Sequence, residues 1–183
     1  HAIVEKRRGY NPPLSLLSLA GFLELHDRFT VEVLDAQPRG CTYAQLAEVL
    51  RKRPPADVVG ITAMTFTLID VVKTCRVVRA VMPRARIVLG GSHVHLYPEE
   101  TARLPDVDVV VQGEGERALL ELLNNLDSRP AWRGIKGLVY REPDGTIVNN
   151  GFAPNAKDLD TLGLPARHLV NARDYTSLLG RND

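Results

Sequence analysis

Cysteine is scarce in this chain of 183 residues: Cys41 and Cys75 are the only two, and they stand far apart. They form neither a C-x-x-C motif nor a disulfide framework, which argues against a disulfide-stapled secreted scaffold and for a reducing cytoplasm. Two distant thiols also fall short of the set of cysteine ligands that holds an iron–sulfur cluster. An excess of one charge is missing as well. Lys and Arg total 23 against 22 Asp and Glu, a net charge of +1, with no long basic run. A nucleic-acid surface needs a clustered basic stripe, so no nucleic-acid partner is expected. No apolar run approaches the ~18 residues of a membrane span, so no membrane association is expected either. No secretory signal is visible.

What is present is an ordinary apolar fraction, 44%, in a chain long enough for one domain with a short appendage. Short β-branched runs alternate with longer amphipathic ones. Ala2-Ile3-Val4, Thr30–Leu34, Val58–Ile61, Ile87–Leu89 and Val107–Val111 read as five strands. Leu14–Leu25 reads as a helix with Pro13 suited to its first turn. Thr42 and Gln45 form a capping-box pattern for a helix reaching Arg53. Thr67 and Asp70 mark the start of a helix that Pro83 stops. A short helix follows Pro98, and another runs from Glu116 to Leu126.

Strands separated by crossover helices predict an α/β fold: a flavodoxin-like (Rossmann-like) five-stranded parallel sheet with helices on both faces. The strand order expected from that class is 2-1-3-4-5. Gly137–Arg141, Pro143-Asp144-Gly145 and Thr146–Asn149 read as a C-terminal β-hairpin, followed by irregular text that resembles a connector. The expected organisation is therefore an α/β domain over 1–130, a hairpin over 131–152 and a linker over 153–183.

In such a fold the ligand crevice lies outside the carboxyl ends of the strands, at the switch point. Four loops belong there: Gly9–Pro13, Thr62–Thr67, Gly90–His95 and Gln112–Glu116. Every unusual motif of the chain falls in one of them. Thr62, Thr65 and Thr67 offer hydroxyls to a heteroaromatic base or an amide, and Met64 an adaptable apolar wall; an ordinary capping loop built on Thr67 is the plainer alternative. Gly90-Gly91 allows close approach of a bulky ligand and opens positive φ, or simply makes a tight turn.

Gly113-Glu114-Gly115-Glu116-Arg117-Ala118 fits G-x-G-x-x-A between a strand and a helix. A dinucleotide reading is disfavoured, because no βαβ unit with a ribose-binding acid follows and two carboxylates stand where a pyrophosphate would lie. Those carboxylates suit the helix N-terminus instead. His93 and His95 lack a third metal ligand at recognisable spacing, so no metal site is expected. No nucleophile–base pair emerges, so no catalytic residue is expected. A phosphoacceptor receiver domain is excluded too: the third strand ends in Ile61-Thr62 rather than Asp, and the fifth leads to Gln112-Gly113 rather than Lys.

Taken in order, several segments resemble the cobalamin-binding domain found ahead of radical S-adenosylmethionine (SAM) domains. They are Pro12-Pro13-Leu14 with Leu16–Ala20, Val33–Ala36, Asp57–Thr62, Val88–His93, Pro98-Glu99-Glu100, Gly113–Glu116, and the exit Asp158-Leu159-Asp160 with Leu164–His168. The resemblance implies that Thr62-x-Met64 lines the slot for the dimethylbenzimidazole tail and that Gly90-Gly91 lies beside it. It implies further that the His93 and Gly113–Glu114 loops flank the same cleft. The cofactor-binding set is then Asn11, Pro12, Pro13, Thr62, Met64, Thr65, Thr67, Gly90, Gly91, His93, Gly113 and Glu114.

Cobalamin domains that ligate cobalt through a protein histidine carry Asp-x-His-x-x-Gly after the first strand. This sequence has Gly9-Tyr10-Asn11-Pro12-Pro13 there, so base-off binding without that histidine is expected. The resemblance places the [4Fe–4S] cluster and S-adenosylmethionine in a radical SAM domain beyond this sequence, in a parent acting as a methyltransferase or as an anaerobic oxidative cyclase of the magnesium-protoporphyrin monomethyl ester type. The chain itself is expected to stop short of the catalytic cysteines. The competing reading is a free-standing flavodoxin-like module for a nucleotide, a flavin or a protein partner.

Overall fold

The computed structural model describes residues 11–38 and 40–175. They fall into two compact units, one of the described residues up to 42 with those from 158 on, and one over 43–157.

The larger unit is built on a five-stranded sheet in sequence order. Its strands are β1 (Val58–Thr62), β2 (Arg86–Gly90), β3 (Val109–Val111), β4 (Leu138–Arg141) and β5 (Ile147–Asn149). β1, β2 and β3 pair in parallel, with Thr62 opposite Gly90 and Leu89 opposite Val110. β4 and β5 then pair antiparallel, Val110 facing Val139 and Tyr140 facing Val148. The class is α/β, as the alternation of runs indicates.

The membership of the sheet differs from an all-parallel set of five. The C-terminal hairpin joins the same sheet beside β3, because Val109–Val111 is buried throughout and needs a hydrogen-bonded neighbour on that edge. The expected first strand, Ala2–Val4, lies outside the described residues. Thr30–Leu34 is assigned to no strand; in the 2-1-3-4-5 order its partner would be that first segment, and a strand exists only through its pairing. β1 is thus the edge of the described sheet, and its residues are half-buried where those of β2 are buried.

Between the parallel strands run α3 (Leu68–Val81), the short pair α4 (Ser92–Leu96) and α5 (Pro98–Ala102), and, after β3, α6 (Gly115–Asn124). α2 (Tyr43–Arg51) packs on α3. The amphipathic stripe of α6 puts Ala118 and Leu122 against Val88, Val109, Leu138, Tyr140 and Trp132. Trp132 donates its indole N–H to the carbonyl of Asn125 at 2.8 Å, which satisfies the polar end of a buried ring. At the amino ends of the strands, Asp108 accepts from the backbone of Ile87 and from the Arg79 guanidinium, with Arg86 3.8 Å away. That lock fixes the start of β2 against β3.

The smaller unit centres on α1 (Leu14–Glu24). The stretch over 158–175, expected to be connector, is packed on this helix. Ala166 donates to the carbonyl of Leu17 at 2.9 Å, and His168 Nε2 lies 3.0 Å from Glu24 Oε1. Gly21 faces Leu164 so closely that a Cβ there would overlap its carbonyl oxygen. No described helix is long and apolar enough to cross a membrane.

Candidate functional site

The carboxyl ends of β1, β2 and β3 meet in one place. β1 runs out at Thr62, and Ala63 donates to Gly90 at 2.7 Å, closing the end of β1 onto the end of β2. Gly91 then turns at φ +103°, where an L side chain is strained. A Cβ at Gly91 would meet the Ala63 carbonyl oxygen at 2.7 Å and Thr62 Oγ1 at 2.8 Å. The chain therefore needs glycine here for a backbone approach that the sequence expressed only as a pair.

Beyond Gly91 the chain enters α4, a helix where the sequence reading placed a loop. Two backbone bonds carry its start: His93 donates its N–H to Ala63 at 3.1 Å, and His95 to Gly91 at 3.2 Å. The imidazole of His93 is buried, 3.2 Å from Thr65 Oγ1 through Nδ1 and 5.3 Å from the Tyr97 ring. His95 points elsewhere and sits on Phe152, 4.9 Å between ring centres. The two histidines have separate partners, and among the described residues no group of three His, Cys, Asp or Glu is placed to hold a metal ion.

Thr65–Thr67 form a single 3₁₀ turn leading into α3. Thr67 does not cap α3 with its hydroxyl; that hydroxyl bonds back to Met64, accepting from its N–H at 3.3 Å and donating to its carbonyl at 3.1 Å. Thr67 thus caps the 3₁₀ turn at Met64 rather than the α-helix itself, which keeps the capping reading in a local form. Met64 is 44% exposed and Phe66 83%, an unusual exposure for large apolar side chains beside a backbone crevice.

Gly113 follows β3 at φ +82°. Its absent Cβ would lie 3.3 Å from both the N and the O of Ala153. The first glycine of the G-x-G-x-x-A pattern is explained by this crossing chain and needs no pyrophosphate. Glu114 precedes α6 without a side-chain cap bond; its carboxylate accepts the N–H of Ala156 instead. Gly91, Ser92, His95, Leu96 and Gly113 together line an open hollow of about 420 Å³.

The structure brings Thr62, Thr65, Gly90, Gly91 and His93 together through the contacts above and sets Gly113 across the hollow from Gly91. Met64 and Thr67 lie in the same loop as Thr65. Asn11, Pro12 and Pro13 belong to the smaller unit, where the Pro13 carbonyl accepts from Leu17 in the first turn of α1. Sequence reasoning did not single out Ser92, Leu96 or Phe152. Their only signal was position: two of them follow the glycine pair, and Phe152 is the last residue of the expected hairpin segment.

This edge thus carries backbone without side chains at Gly90-Gly91 and hydroxyls at Thr62 and Thr65, with exposed Leu96 lining the hollow. Residues 1–123 match the model of the B12-binding domain. The chain belongs to the B12-binding domain family. Cobalamin is that family's cofactor. An uncharacterized methyltransferase of Pyrococcus horikoshii is 34% identical over 90% of this chain and 35% of its own length. The anaerobic magnesium-protoporphyrin IX monomethyl ester cyclase of Rubrivivax gelatinosus is 31% identical over 82% of this chain and 28% of its own. The chain thus spans about a third of the length of these curated relatives. Among solved structures, the radical S-adenosylmethionine methyltransferase TsrM from Kitasatospora setae, with cobalamin and a [4Fe–4S] cluster bound, shares the fold of this B12-binding domain. It superposes with a TM-score of 0.66 at 23% identity, over 83% of this chain and 29% of TsrM.

Proposed function

We propose that this B12-binding domain holds cobalamin base-off in the crevice at the carboxyl ends of β1–β3, as the cofactor-carrying part of a radical SAM methyltransferase or anaerobic oxidative cyclase. The observation that carries the reading is the convergence of Thr62, Thr65, Gly90, Gly91 and His93 on one edge with Gly113 opposite. Cobalamin, when bound, supplies a cobalt centre able to carry a methyl group.

The chain's own residues would hold it. Gly90 and Gly91 admit a flat ligand against the backbone. Thr62 and Thr65 supply hydroxyl bonds, and Met64 the apolar wall beside them. Thr67 keeps Met64 in place, His93 braces Thr65, and the Gly113–Glu114 turn closes the far side. Asn11, Pro12 and Pro13 belong to the proposed set as the loop ahead of α1. The sequence carries no Asp-x-His-x-x-Gly motif, which supports binding without that histidine on cobalt. The free thiols of Cys41 and Cys75 fit a reducing cytoplasm, and the partner of the domain is a radical SAM domain of the same polypeptide bearing the [4Fe–4S] cluster and S-adenosylmethionine.

Titration with hydroxocobalamin, followed by absorbance, tests the ligand: shifted corrin bands that saturate at one equivalent are expected, and unchanged bands with a folded protein would refute it. Electron paramagnetic resonance of the cob(II)alamin complex tests the coordination. Absence of nitrogen superhyperfine splitting on the axial lines is the expected result; a resolved splitting would refute base-off binding without a histidine.

A further inference from the structure

The stretch from Asn149 to Lys157, which the family match over 1–123 leaves out, runs across the end of β3 on four attachments. The Gln112 amide, almost wholly buried, donates to Asn149 Oδ1 at 2.7 Å, and Asn149 donates in turn to Glu99 at 3.2 Å. Asn150 donates to the carbonyls of Trp132 and Ile135. Ala153 is buried against Gly113 and Gly137, each of which has φ above +80° and only tight space for a Cβ. Ala156 is tied to the Glu114 carboxylate.

This fastening holds one large side chain out in the open. Phe152 is 53% exposed, and its ring partner among the described residues is the exposed His95, which lines the hollow with Gly91 and Gly113. The anchored chain presents the Phe152 ring to His95, and the pair forms an exposed aromatic rim beside backbone that carries no side chains.

We propose that residues 150–157 form a wall of the corrinoid crevice and that the Phe152–His95 ring pair contacts the bound cobalamin. The inference rests on the cobalamin reading above. It assigns a binding role to a segment after the hairpin, so the site extends past the α/β core into the chain that follows it.

Phe152→Ala, His95→Ala and Phe152→Tyr, each in the 183-residue chain, separate the outcomes when titrated with hydroxocobalamin by absorbance, with melting temperature as the folding control. Loss of an aromatic contact is expected to raise Kd by about tenfold in each alanine variant, while Phe152→Tyr keeps near-parental affinity. Because both rings are exposed, the melting temperatures are expected to stay close to that of the parent. Parental affinity in both alanine variants would overturn the proposal while leaving cobalamin binding intact. Weakened affinity in step with a lowered melting temperature, and not restored by Phe152→Tyr, would also overturn it in favour of a structural role. If the unsubstituted chain binds no cobalamin at all, the cobalamin reading itself fails and takes the wall with it.

Discussion

Thr65 Oγ1 lies 3.2 Å from Nδ1 of His93, joining the turn after β1 to the helix after β2. His93 is only 6% exposed, so this hydroxyl is what its buried ring nitrogen meets. The pair ties together two of the segments at the carboxyl edge of the sheet, a supporting arrangement that a loop-borne site requires.

Thr65→Val keeps the shape and removes the hydroxyl. The ring nitrogen then loses its partner inside the protein, at a cost of about 1–2 kcal/mol. The expected reading is a lower urea midpoint with an unchanged m-value, and recovery with Thr65→Ser. A midpoint equal to the parent's in Thr65→Val would show that Thr65 does not hold His93.

Gly90 and Gly91 separate by stability. At Gly91 an alanine combines positive φ with contacts under 3 Å to Ala63, and it is expected to cost about 2 kcal/mol or more. At Gly90 the nearest atom to a Cβ is the Val111 carbonyl oxygen at 3.8 Å, so alanine is expected to change stability by less than about 0.5 kcal/mol. Gly90→Ala is therefore the informative substitution for binding. It is expected to leave thermal unfolding alone and to weaken hydroxocobalamin binding by about tenfold, by holding the ligand off the backbone; unaltered binding would remove Gly90 from the site.

Gly21→Ala tests the smaller unit. In a helix interior alanine is worth about 1 kcal/mol over glycine, so a free α1 would gain stability. Here the new methyl would overlap the Leu164 carbonyl. Faster amide exchange and easier proteolysis over residues 158–175 are expected despite the gain in propensity. Unchanged protection of that stretch would mean that it is not seated on α1 through Gly21.

Cys75 carries a pH dependence. Its burial in α3 pushes the thiol up from an ordinary value of 9.0 to about 11, with the nearby Asp106 acting in the same direction. The native state therefore keeps its proton over a range where the unfolded chain loses it. The associated stability is complete below about pH 9 and is lost as pH rises toward about 11. Cys75→Val should flatten this part of the stability profile, measured by urea unfolding between those pH values. Alkylation is expected to be slow at Cys75 and fast at half-exposed Cys41.

Much of the larger unit was legible along the chain. Val58–Ile61, Ile87–Leu89 and the end of Val107–Val111 read as strands because β-branched runs lie between turn signals, and they are strands. Leu14, Leu68 and Pro98 each open a helix where the start signals put one. The hairpin, too, was marked by Pro143-Asp144-Gly145, whose Asp144 carboxylate accepts the Thr146 N–H at 2.9 Å. The segment Ser92–Leu96 was less legible. Five residues with two histidines carry too little periodicity to declare a helix, and its start is fixed by Ala63, nearly thirty residues away.

The sequence by itself determined most elements of the larger unit, the α/β class and the edge on which the unusual motifs gather, because propensity, periodicity and turn chemistry act over a few neighbouring residues. The tertiary structure alone decided that the hairpin completes the sheet beside β3, that Gly113 is glycine to let Ala153 pass, and that His93 turns to Thr65 while His95 turns to Phe152. Those outcomes depend on hydrogen-bond pairing and close packing between residues dozens of positions apart. Such contacts form only when the chain has folded, and no local pattern encodes them.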